Sequence, residues 1–316
     1  MDNKRKILMI GNRDSGKTSY MASAYGLMNT GKYGFYVYGD DESDMWLKTI
    51  FQQIKAGQYP LPTDKRSQFN FDLYYHHNKV LSFEWVDYFG GVISESKSQE
   101  LAEDIGNADA IMIFLEASAL AENKKSVTQF RRIQALITEK LTNMDRHFDV
   151  IVVITKYDLI GDSIPIEEVC KPLDNFAVSL SNRDNIYFRI VPVSCTSSGF
   201  VNVDLPLIDI LHTGLGMRYV AHGLRMKELA ESALDFNNRR GLLDWTVSRL
   251  FGLKTNGELA EEKYQDALAE KALCEELEPA FEKLSKYREN YLIEIPNNQT
   301  TNHTIPVSRR SRFGDL

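Results

Sequence analysis

The stretch Gly11-Asn12-Arg13-Asp14-Ser15-Gly16-Lys17-Thr18 fits the pattern GxxxxGK(S/T) without a mismatch. These residue types suit a polyphosphate. Glycines let the backbone wrap so that successive N–H groups converge on phosphate oxygens. Lys17 would reach the outer phosphates, and the Thr18 hydroxyl would ligand Mg²⁺. Gly11, Asp14, Ser15, Gly16, Lys17, Thr18 and Ser19 are the candidate contacts of this cradle. A second group, Asp87-Tyr88-Phe89-Gly90, closes the apolar run Val80–Val86. An acid in that place can hold Mg²⁺, often through water, and Gly90 can set a bare N–H on the terminal phosphate.

A third group, Thr155-Lys156-Tyr157-Asp158, closes the run Val150–Thr155. The Asp158 carboxylate can accept two parallel hydrogen bonds, from guanine N1–H and from its exocyclic amine. Adenine lacks that donor pair and would leave a desolvated charge unpaired. The Lys156 stem can lie over the flat base. Ser194-Cys195-Thr196 follows the run Ile186–Val193, and its backbone could contact guanine O6. His76 and His77 read as turn residues, with no ligand spacing around them for a metal.

Elements must hold these groups together. Lys6–Ile10 reads as a buried strand, and Lys17–Met28 as a helix starting at the glycine loop. Residues 29–68 are polar and broken by glycine and proline, with room for a helix over Asp44–Lys55. Phe69–Tyr75 and Val80–Val86 alternate and predict an antiparallel hairpin. Ala110–Leu115 and Val150–Thr155 are continuous apolar runs, suited to strands covered on both faces. Ile186–Val193 is the last strand expected, and helices are expected near 99–106, 122–143, 165–180 and 205–222. The alternation predicts an α/β fold: a three-layer P-loop NTPase with a mostly parallel sheet, plus a C-terminal helical extension. The expected parts are residues 1–222, a helical extension over 223–296 and a polar tail over 297–316.

In the extension, Leu273, Leu277, Ala280, Leu284, Tyr287 and Tyr291 recur at coiled-coil-like spacing. That stripe packs either on its own domain or against another molecule, and Pro279 should kink the helix or start a new one. The segment 242–253 (LLDWTVSRLFGL) is the best candidate for lipid contact, with core packing as its alternative.

The 316-residue chain is 43% apolar and 26% charged, a globular balance. Its net charge of −7 gives no overall basic field for nucleic acid. Cys170, Cys195 and Cys274 are scattered and form no CxxC pair, so a reducing cytoplasm is expected. No apolar run reaches the length of a membrane span, and no integral membrane association is expected.

The ordered set GNRDSGKT, DYFG, TKYD and SCT resembles the Ras-like, translation-factor-related (TRAFAC) class of GTPases over roughly residues 5–222. More narrowly, WVDYFGG and YPLPTDKR resemble bacterial double-GTPase-type domains, which are often found in conflict or signalling systems. The resemblance implies GTP and GDP binding, Mg²⁺ dependence and two switch segments. Thr155 stands where Asn is commoner, and Thr is tolerated in the family. A first-switch threonine is expected at Thr63, with Thr49 and Ser67 as rivals. Gly91 follows DYFG where a water-orienting Gln is frequent. Hydrolysis should then be slow, or use Ser94, Glu95, Gln99 or a partner's group. Arg13 is either a finger supplied in cis or a solvated loop residue. Asp14 takes the place of an Asn found in potassium-activated members, so the resemblance implies a K⁺ site there; otherwise Asp14 caps the loop. Tyr88 and Phe89 form either a mobile apolar contact or core.

The leading expectation is a GTP-hydrolysing molecular switch that uses Lys17, Thr63 and Gly90 on the terminal phosphate, with Thr18, Thr63 and Asp87 on Mg²⁺. A protein effector or activator is the expected partner, and oligomers could form through the C-terminal helices. The rivals are a nucleotide-gated adaptor with little hydrolysis, an ATPase or kinase, which TKYD opposes, and a membrane-remodelling role.

Overall fold

The computed structural model describes residues 4–31, 34–61, 66–88, 98–122, 125–160, 164–239 and 253–293. The chain divides into two compact units, Met1–Ile210 with Tyr291–Leu316, and Leu211–Asn290.

The first unit is built on a seven-stranded sheet in the order β2-β3-β4-β1-β5-β6-β7. Its strands are β1 (Arg5–Gly11), β2 (Phe35–Gly39), β3 (Ser67–Tyr75), β4 (Asn78–Asp87), β5 (Ala110–Glu116), β6 (Phe148–Thr155) and β7 (Ile186–Pro192). β1 pairs in parallel with β4 and β5, and β6 pairs in parallel with β5 and β7. All eight residues of β6 are buried, as its unbroken apolar run requires. β3 pairs antiparallel with β2, and with β4 through a turn at His76 and His77. His76 has φ 53°, in the left-handed region.

Helices cover both faces, giving three layers. On one face lie α1 (Lys17–Met28) and α2 (Asp41–Lys55). α1 is buried on most of its surface, and Tyr20 packs edge-on against Trp85 and Phe114 of the sheet. α2 begins three residues before the expected start, because the Asp40 carboxylate accepts from Ser43 N–H at 2.8 Å and caps it. On the other face lie α3 (Ser98–Asn107), α4 (Ala117–Ala121), α5 (Lys125–Thr142), α6 (Ile166–Cys170) and α7 (Asp174–Ser181). There Leu8, Ile10, Ile111, Ile113, Val150 and Val152 pack with Phe130, Ile137 and Phe176.

Several expectations shift. The helix expected over 165–180 is interrupted by a 3₁₀ turn, Lys171–Leu173, where Pro172 removes a backbone donor. β2 is an additional strand, and so is the small hairpin of β8 (Ser194–Thr196) with β9 (Gly199–Val201). Tyr88 is core at 2% exposure, with the Arg66 guanidinium 5.4 Å from its ring centre.

α8 (Leu205–Asn238) is longer than the expected 205–222 segment, and most of it belongs to the second unit with α9 (Asn256–Ile293). The two run antiparallel there. His212 bonds Ser285 at 2.9 Å, Tyr219 stacks on Phe281, and His222 pairs with Glu270 at 2.5 Å. Leu277, Ala280, Leu284 and Tyr287 of the apolar stripe are buried. Pro279 neither ends α9 nor starts a new helix. The buried residues either side of it hold the helix together across the missing hydrogen bond. Most of 242–253 and all of the tail over 297–316 lie outside the described residues. Among the described residues no helix is long and apolar enough to cross a membrane.

Candidate functional site

β1 runs into the glycine loop, and the loop runs into α1. Asp14 and Gly16 both take left-handed backbone, with φ 64° and 82°. Gly16 caps α1 without a side-chain bond, so the first-turn N–H groups face the loop unclaimed by a cap. Gly11 is needed for space: a Cβ there would lie 2.7 Å from both the Phe114 carbonyl and the Ser15 hydroxyl. The Lys17 ammonium is buried and folded back into the loop, donating to the Gly11 and Asn12 carbonyls at 3.1 and 3.0 Å. Burial pushes its pKa down, while Asp87 and then Asp14 act against the shift.

Asp87 ends β4, beside Met9 of β1. It is 1% exposed, and burial raises its pKa from 3.8 to about 6, against the Lys17 charge and a hydrogen bond from the Thr18 side chain. Among the described residues its Oδ1 is buried with no hydrogen-bond partner. An orphaned carboxylate oxygen beside a threonine hydroxyl is a donor set that fits Mg²⁺. Ser15 is buried in the loop, and Ser19 is half-buried in the first turn of α1.

The base end is brought to the same place. The Thr155 hydroxyl, at the end of β6, donates to the Ser15 carbonyl at 2.8 Å and approaches the Leu115 carbonyl at 3.3 Å. A Cβ on Gly16 would lie 3.5 Å from that of Thr155. Lys156 follows with φ 53°, and Asp158 lies exposed in the 3₁₀ turn Tyr157–Leu159. The turn is braced from β8, because Asp158 N–H donates to the buried Ser194 hydroxyl at 3.0 Å. Tyr157 N–H also donates to the Val193 carbonyl at 3.3 Å. Cys195 follows, its thiol pushed up to about 12 by burial. The Thr196 hydroxyl closes the small hairpin by donating to the Gly199 carbonyl at 3.0 Å.

The residues that sequence reasoning assigned to the loop, to β4, to β6 and to β8 therefore converge on one end of the sheet. Thr63, Phe89, Gly90, Gly91, Ser94 and Glu95 lie outside the described residues. Of the rivals to Thr63, Thr49 lies on α2 donating to the Met45 carbonyl, and Ser67 opens β3. Sequence reasoning missed Glu116, which ends β5 opposite Thr155 and pairs with Lys156 at 3.1 Å. The signal was present: an acid closes the apolar run Ala110–Leu115, as Asp87 and Asp158 follow theirs.

A sheet of this order, with a phosphate loop after its first strand and the TKYD turn tied to that loop, makes the chain a P-loop GTPase by class. The sequence model of the family described as Double-GTPase 2 matches residues 5–189. The chain belongs to that family. No curated protein sequence matches it. Among solved structures it is similar to a chain described as "The Structure of the Mammalian SRP Receptor", with 16% identity, a TM-score of 0.37 and coverage of 64% of this chain and 96% of that one. That overlap says nothing of function.

Proposed function

We propose that this protein is a GTP-binding molecular switch that hydrolyses GTP slowly to GDP and phosphate. The observation that carries the reading is the Thr155–Ser15 bond, which places the TKYD turn against the phosphate loop. Lys17 lets go of the Gly11 and Asn12 carbonyls when a phosphate takes their place. The loop amides and the start of α1 then hold the β and γ phosphates, and Asp158 takes the guanine edge. Bound Mg²⁺, held by Thr18 and Asp87 with Thr63 completing the set, would neutralise charge that develops on the phosphates. Gly90 would release the second switch when the γ-phosphate leaves. The helical extension would carry the change to a protein effector or activator. A bacterial conflict or signalling system, a cytoplasmic location and oligomers through the C-terminal helices belong to this reading as proposals.

The test is base selection. Asp158→Asn should weaken binding of labelled GTP at least about a hundredfold and gain binding of the xanthine nucleotide. Unchanged preference for GTP rejects the reading. A nucleotide-gated adaptor with little hydrolysis is the second reading, favoured by Gly91 in the place of a water-orienting side chain. Single-turnover hydrolysis separates the two, run in KCl and again in NaCl. A higher rate in KCl supports a cation at Asp14, and equal rates remove it.

A further inference from the structure

We infer that Glu116 is a positioning residue of the guanine site, holding the Lys156 side chain ready before nucleotide arrives. The inference rests on the proposed GTP site and adds a residue that no motif assigns. Glu116 closes β5 in register with Thr155, so its side chain starts one strand away from Lys156. It is also the N-cap of α4, where a carboxylate ordinarily accepts a helix N–H. It makes no such bond. Instead Oε2 takes the Lys156 ammonium at 3.1 Å, and Oε1 accepts from the Ser118 hydroxyl at 2.8 Å. The carboxylate is thus held from both sides and aimed at one partner.

Lys156 has reason to need a guide. Its backbone is left-handed at φ 53°, a conformation that is unfavourable for a non-glycine residue. The turn persists because its neighbours bond outward: Thr155 to the loop, Tyr157 to β7's end and Asp158 to Ser194. Those bonds fix the main chain but not the four-carbon stem, whose rotamer freedom is large. The ammonium–carboxylate pair fixes the far end of the stem. A stem pinned at both ends presents a ready apolar surface to a flat base, so less freedom is lost on binding. Both partners are about one-third exposed, 37% and 31%, so the effect is one of ordering, not of strong attraction.

The test uses the full chain loaded with fluorescent GDP and Mg²⁺. Glu116→Gln should speed GDP release about three- to fivefold, the range open to a partly exposed pair. Inosine diphosphate release should speed by the same factor, because stacking ignores the exocyclic amine that Asp158 reads. Glu116→Asp should restore part of the native rate. In a Lys156→Met background, Glu116→Gln should add nothing, since the carboxylate works through the lysine. A native rate in Glu116→Gln, or an undiminished effect in the Lys156→Met background, overturns the inference while leaving the GTP site standing. Failure of the native chain to bind guanine nucleotide at all overturns the GTP site, and the inference with it.

Discussion

Asp87 is a carboxylate that folding makes harder to ionise, its pKa raised from 3.8 to about 6 chiefly by burial. In the nucleotide-free protein the folded state therefore holds a proton that the unfolded chain gives up between those values. Its contribution to stability is complete below about pH 4 and fades as pH rises through about 6. Asp87→Asn cannot titrate, so its stability advantage over the native protein should grow by on the order of 2–3 kcal/mol from pH 4 to pH 7. Urea unfolding at both pH values checks this, and a constant difference rejects it. Thr155 gives a second prediction. Thr155→Val removes the donor to Ser15 and leaves a buried carbonyl unpaired, which should cost about 1–3 kcal/mol in the same assay. Thr155→Ser keeps the hydroxyl and should lose much less.

Close approach of α1 and α2 depends on Gly26, where any Cβ would overlap the Phe51 ring. Gly26→Ala should push that ring from its place and cost about 1–3 kcal/mol by denaturant unfolding, despite alanine's better helix propensity. Elements such as β5 and β6 were legible because a strand covered on both faces is written as an unbroken apolar run. β2 was not, since FYVYG is five residues, two of them outward tyrosines, bounded by glycine. α6 and α7 read as one helix because their apolar spacing ignores Pro172. The loop, Asp87 and Asp158 were legible for a shared reason: each lies at or just past the end of a strand, where side chains reach the sheet's end. Glu116 obeyed that rule as well, but a lone acid after an apolar run belongs to no motif until its register with Thr155 is known. The Thr63 and Gly90 assignments rest on sequence alone.

At the scale of the molecule, the second unit has its own core, of small residues such as Ala260, Ala267 and Ala280 beside Leu277, Leu284 and Tyr287. Pro279 interrupts the α9 ladder within it. Pro279→Ala lets residue 279 donate to the Glu275 carbonyl and should raise stability by about 1–3 kcal/mol, seen as a higher melting temperature of helical circular dichroism. An unchanged or lower melting temperature would show that the ring packs usefully where it lies. At the working end of the first unit the Thr155–Ser15 bond ties together groups 140 residues apart in the chain. In the proposed GTP site this rivet would sit between the purine and the triphosphate. On that reading, a partner that pries the loop from Thr155 would also loosen the turn proposed to grip the base, so that neither half of a spent nucleotide would be let go alone.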